Sequence, residues 1–278
     1  MRLGVSTDFE STNCEQWMKN ILDLQLKTVV FPLNCEDEEA KIDEYCRAAK
    51  EAGITIAEVG IWRNAIDANE DVAKENLKYS IKQLALAEKI GARCCVNVAG
   101  AFSGDRWDGP TRDNFSKDAW KKTVKMIQTI IDEVNPKNTY FSIEPMPWMI
   151  PTGPEEYLNL IEDVARDRFA VHMDIINMIT SPRRYFFPEE FMEKSFELLK
   201  GKIRSCHMKD IGQIPEYTFQ VRECAPGEGV FPLERYVELA TAEDANMPMI
   251  IEHLHTNEEY QNSVAYVRQR LSKGGIIL

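Results

Sequence analysis

Glu144, Asp174, His207 and Glu252 each close a short apolar run: TYFSIEP, FAVHMD, KIRSCHMKD and MPMIIEH. A carboxylate or imidazole just past an apolar run packs badly, but it stands well at the C-terminal mouth of a parallel barrel, where catalytic groups gather. Two Glu, one Asp and one His make a hard, oxygen-rich donor set. It suits Mn²⁺, with Mg²⁺ or Co²⁺ as alternatives, better than it suits the Cys-rich tetrahedral site of structural zinc. One strand-end carboxylate is commonly ion-paired or solvated. Three carboxylates and an imidazole at four successive strand ends, with strands ~4.8 Å apart, can converge on one ion. Such a site leaves coordination room for a hydroxyketone or vicinal diol.

The elements that must position these groups follow from periodicity. Strands are expected at Arg2–Val5, Thr28–Phe31, Thr55–Val59, Cys94–Val98, Tyr140–Glu144, Phe169–Asp174, Ile203–Met208 and Met249–Glu252. Each is apolar on both faces, as a strand buried in a parallel sheet must be. Between them apolar residues recur every three or four positions. In 69–90 these are Leu77, Ile81, Leu84, Ala85 and Ile90; in 119–134 they are Val124, Ile127, Ile130 and Ile131. Gly53, Gly91 and Gly201 stop helices, and Pro136 stops another. This alternation predicts βαβ units closing into an α/β, (β/α)₈ TIM barrel, with one domain over 1–278. A doubly wound open sheet is the alternative, but no GxGxxG or Walker-type loop follows the first strand. Stretches 99–117, 145–154, 181–188 and 211–231 read as loops on the catalytic face.

The chain has 278 residues, 44 % of them apolar, and a net charge of −12 without a Lys/Arg block. Long-range attraction to nucleic acid or an anionic membrane is not expected. The seven cysteines are odd in number and lack zinc-ribbon spacing, and MRLGVSTDFE lacks the pattern of a secretory leader. A reduced, cytoplasmic protein is expected.

The order Glu, Asp, His, Glu on late strands, together with IEP at 143–145, CHMKD at 206–210, PGEG at 226–229 and IEH at 251–253, resembles the xylose-isomerase-like sugar isomerase/epimerase superfamily. The resemblance implies a carbohydrate substrate and a metal held by Glu144, Asp174, His207 and Glu252. It also implies that Glu144 and Glu252 act as the acid/base pair. One takes a proton alpha to a carbonyl, the metal stabilises the enediolate, and the other returns a proton. The chain departs from the ketose-epimerase pattern in EPMPWMIP, which lacks the Asn and Arg of that branch, and at Asn177, where a His is usual. EPMPW, SPRRY and SCHMKD are similar to a branch that includes lyases of 3-keto sugars, inososes and 3-keto C-glycosides. There the same first step ends in elimination. The metal endonucleases of this barrel carry more His ligands than a chain with four His can supply.

Substrate contacts are expected from Asn177, from Lys209 on the His207 face, from Arg183 in the loop after the sixth strand, from Glu58 at the end of the third, and from Trp107 and Trp148 on catalytic-face loops. His253 is expected to point away from the ligands, and His172 to lie deeper than Asp174. The PGEG glycines read as a tight loop, with a phosphate cradle as the alternative. A homo-oligomer is expected from the resemblance, and a second polypeptide completing the site remains open.

Overall fold

The computed structural model describes residues 1–276; the last two residues of the 1–278 expectation lie outside the described residues. Eight parallel strands form one sheet in the order β1 (Arg2–Val5), β10 (Pro248–Ile251), β7 (Ile203–Met208), β6 (Phe169–Met173), β5 (Tyr140–Ile143), β4 (Cys94–Asn97), β3 (Thr55–Gly60) and β2 (Thr28–Val30). β1 and β2 close the round. The Lys27 amide donates to Leu3 O at 3.0 Å, and Gly4 stands so near β2 that an added Cβ would meet Thr28 O at 2.5 Å. The result is a nearly closed (β/α)₈ barrel, the fold the alternation predicts.

Helices follow the strands: α1 (Cys14–Asp23), α2 (Glu39–Glu51), α3 (Glu70–Ile90), α4 (Lys117–Val134), α5 (Pro154–Val164), α6 (Pro182–Phe186), α7 (Pro188–Leu198), α8 (Leu233–Glu243) and α9 (Asn257–Lys273). Their ends are written in local chemistry. Asn69 lies outside α3 as its cap, accepting from the Asp71 and Val72 amides, and Gly91 ends it at φ +71°. That conformation is cheap for glycine alone. α4 begins two residues before the periodic stretch, under the Ser116 cap, and ends on Asn135 in the left-handed region rather than on Pro136 itself. Thr256 and Glu259 form a reciprocal capping box on α9.

One expectation is corrected. Part of the stretch read as a loop at 211–231 is an antiparallel hairpin, β8 (Asp210–Ile214) with β9 (Gln220–Cys224), which leaves the barrel before α8. That is why β7 pairs directly with β10. The 181–188 loop likewise contains the short α6.

The core lies between the barrel and its helices, with Leu84, Ile127, Ile130, Leu160, Val237 and Leu271 wholly buried on the helix side. Inside the barrel the packing turns polar: Glu58, Ser142, His172 and Ser205 are all buried. Among the described residues no helix is long and apolar enough to cross a membrane.

Candidate metal centre

Side chains two apart on a strand share a face. On β7 and just beyond it, this rule puts Ser205, His207 and Lys209 in one column; on β6 and just beyond it, His172 and Asp174. Glu144 and Glu252 follow the last residues of β5 and β10. The barrel brings these four strand ends together: one ligand atom each from Glu144, Asp174, His207 and Glu252 lies within 4.8 Å of the others, and all four residues are buried. Nδ1 of His207 is 2.8 Å from Glu252 Oε2, 3.5 Å from Glu144 Oε1 and 3.7 Å from Asp174 Oδ2.

Lys209 shares this space. Its Nζ lies 2.8 Å from both Asp174 Oδ2 and Glu252 Oε1, and 3.0 Å from Glu223 Oε2 on β9. The charges sort the acids. Burial opposes ionisation of Asp174 and Glu252, but Lys209 and His207 hold both well below the usual carboxylate range. For Glu144 burial dominates, and repulsion from Glu252 and Asp174 adds to it, so its pKa is raised despite His207. Burial also opposes the charge on His207, yet Glu252, Glu144 and Glu58 hold its pKa well above that of an ordinary imidazole.

The residues present fit a divalent cation. Without an ion, Lys209 Nζ and the His207 ring are the positive partners of Asp174 Oδ2 and Glu252 Oε2, each at 2.8 Å, and a divalent cation would take over that role. Three carboxylates and one imidazole are the donors a hard ion takes.

The remaining candidates fall into four places. Asn177 braces the site: its side-chain amide donates to Glu144 Oε1 at 2.9 Å, and its backbone amide to Asp174 Oδ1 at 3.0 Å. Trp148 ties two mouth loops, its indole donating to Asp108 O at 2.8 Å while Asn114 donates to its carbonyl at 2.9 Å. Trp107 stands 41 % exposed in the first of those loops. Arg183 points outward to Glu190 at 3.3 Å and lies over Phe187, away from the ligands. Arg184 is held at 2.7 Å by Met178 O. Glu58 is not at the mouth: β3 runs on to Gly60, leaving its carboxylate 1 % exposed beneath His207.

Sequence reasoning missed two residues here. Glu223 arrives on the hairpin, whose strands carry no clean apolar alternation. His253 turns toward the ligands instead of away: β10 ends at Ile251, and His253 takes φ +58°. Its Nε2 comes to 3.6 Å from Glu252 Oε2, and its Nδ1 to 2.9 Å from Glu223 Oε2. The PGEG loop is packed against protein. An added Cβ on Gly229 would meet Asp210 Oδ1 and Ile211 O at 2.3 Å, and Asp210 accepts from the Gly227 and Phe231 amides at 3.0 and 2.8 Å. Those amides are taken by Asp210 and do not form a phosphate cradle.

A family model described as xylose isomerase-like TIM barrel matches residues 23–270. No curated protein sequence matches. Solved structures match the fold at low identity. A xylose isomerase-like TIM barrel protein from Mycobacterium smegmatis, in complex with magnesium, is 15 % identical over 95 % of this chain and 91 % of its own, with TM-score 0.69. The 3-keto-D-glucoside 4-epimerase of E. coli is 15 % identical over 97 % and 99 %, with TM-score 0.68. The probable 3-DHS dehydratase of Bacillus anthracis is 15 % identical over 98 % and 99 %, with TM-score 0.73.

Proposed function

The chain belongs to the xylose isomerase-like TIM barrel family, and from that premise we propose that it is a divalent-metal-dependent sugar isomerase or epimerase that moves a proton alpha to a carbonyl. The observation that carries this is the convergence of Glu144, Asp174, His207 and Glu252. Those four residues hold the ion, Mn²⁺ first with Mg²⁺ or Co²⁺ as alternatives; the magnesium complex of the mycobacterial relative supports a hard cation. When bound, the metal supplies Lewis-acid polarisation of the substrate carbonyl, worth several kcal/mol of barrier.

The protein's own residues do the rest. Glu144 and Glu252 are the acid/base pair: one carboxylate takes the proton alpha to the carbonyl and the other returns one. Asn177 fixes the Glu144 carboxylate at 2.9 Å. Beside β1, β2 and β10, near the Glu252 strand end, a cavity of about 470 Å³ is lined by Ser6, Thr7, Asp8, His255 and Tyr260, with none of the four metal-site residues in its wall.

One observation favours a second reading, elimination from a 3-keto sugar, inosose or 3-keto (C-)glycoside. His253, half exposed and 3.6 Å from Glu252, is placed to hand a proton to a departing group. The seven free thiols support a reduced, cytoplasmic setting. We also propose a homo-oligomer, which light scattering tests.

The experiment is incubation of Mn²⁺-loaded protein with ketoses, inososes and 3-keto-glycosides in D₂O, read by mass spectrometry. A deuterated isomer establishes isomerase or epimerase chemistry. Loss of water or an aglycone establishes the lyase. Deuterium uptake from no compound by metal-loaded protein refutes the proton-transfer reading.

A further inference from the structure

A fifth acid lies under the metal centre. Glu58 comes from β3, on the far side of the barrel from His207, and its carboxylate is 1 % exposed. Its Oε2 stands 3.4 Å from Nε2 of His207. The opposite ring nitrogen, Nδ1, faces Glu252, Glu144 and Asp174. The ring is therefore bracketed, with one nitrogen on a carboxylate below and the other on the cluster above. His172 meets it edge-on with ring centres 4.0 Å apart, and is itself held by Ser205 at 2.7 Å through Nδ1.

This arrangement has a chemical consequence. An ionised carboxylate can only accept a hydrogen bond, so the nitrogen facing it must carry a proton. A neutral imidazole has one N–H, and placing it on Nε2 leaves the Nδ1 lone pair turned to the cluster. A buried carboxylate is costly unless paired. Among the described residues, the basic groups in salt-bridge reach of Glu58 are His172 and His207. No Lys or Arg explains its place.

We propose that Glu58 is a positioning residue of the metal centre: its carboxylate holds the His207 ring by Nε2–H so that Nδ1 is presented to the ion. The proposal rests on reading the four mouth residues as a metal site. Removing a partner of this kind from a ligating histidine weakens metal binding by about 10- to 100-fold.

The test uses the full chain and Mn²⁺ alone. Glu58→Gln keeps the shape and removes the charge. Calorimetry is expected to show Mn²⁺ binding about 10- to 100-fold weaker, with unchanged circular dichroism. In the His207→Asn background the same change is expected to add nothing to the loss of Mn²⁺ affinity, since of the two rings in reach of Glu58, His172 and His207, only His207 belongs to the metal set. Imidazole N–H resonances give a readout without metal: the downfield His207 Nε2–H signal should move upfield in Glu58→Gln. Glu58→Asp, which keeps the charge but withdraws it from the ring, should lose affinity as well, and it stands in if the Gln variant does not fold. Parental affinity in Glu58→Gln or Glu58→Asp, an equal loss in the His207→Asn background, or an unmoved N–H signal overturns the proposal alone. A parent protein that binds no divalent ion overturns the metal reading and this inference with it.

Discussion

Lys209 is the residue whose removal has two effects of opposite sign. Its side chain is 1 % exposed, and its ammonium lies 2.8 Å from one oxygen each of Asp174 and Glu252. Lys209→Met keeps the stem and deletes the charge. Without metal, two buried carboxylates lose their partner, and breaking a buried pair from one side costs about 3–5 kcal/mol. At this chain length each kcal/mol moves the midpoint by ~2–4 °C, so the variant should melt roughly 10 °C below the parent in chelator. With metal, the ion supplies the missing charge and no longer shares those two oxygens with an ammonium. A charge-assisted hydrogen bond is worth about 1.5–3 kcal/mol, and relief of one such competition tightens binding by about 10- to 100-fold. The assay is thermal melting in chelator and in Mn²⁺, with calorimetry at pH 8, where Glu144 is largely ionised and proton uptake cannot stand in for the lysine. A variant that melts with the parent in chelator, or that binds Mn²⁺ more weakly, would refute the reasoning.

Three further outcomes follow from the same geometry. Burial pushes Glu144 up to about 7, and the surrounding carboxylates keep His207 protonated at neutral pH. Metal entry must therefore release protons, and apparent affinity must fall as pH drops through 7; calorimetry at pH 7 in buffers of different ionisation enthalpy checks this, and zero release contradicts it. Asp210→Asn turns an amide donor toward amides that Asp210 now accepts, from Ile211, Gly227 and Phe231. A loss of about 3 kcal/mol is expected, read as faster hydrogen exchange in the 225–231 loop with the barrel strands still protected. Tyr157→Phe removes a buried hydroxyl lying 2.5 Å from Ile143 O and 3.0 Å from Ala170 O. The expected cost is about 1–3 kcal/mol in denaturant unfolding, and an unchanged midpoint would show that β5 and β6 do not need it.

What the chain states locally, it states clearly. Eight short runs, apolar on both faces and alternating with helical periods, specify a parallel sheet covered by helices, because only such a sheet buries strands of this kind, and their number points to a barrel. Asn69, Gly91, Thr256 and Glu259 mark helix ends through bonds within a few residues. Glu144, Asp174, His207 and Glu252 can be picked out because polarity breaks each run at its end. What depends on register between distant strands was not legible. β3 extends to Gly60, and its pairing with β2 slips between Val29 and Val30, so that Val30 meets Glu58. That stagger, set by barrel closure, puts Glu58 under His207 rather than at the mouth. The hairpin was hidden because DIGQI and QVREC bury only Asp210 and Ile211 and show no apolar alternation, and their pairing is completed by Asp210 gathering amides from a loop about twenty residues on. His253 turned inward because β10 stops at Ile251 and the next residues leave extended geometry. Side-chain alternation belongs to the sequence, but where a strand stops and which residue it meets across the barrel are decided only when all eight strands close together.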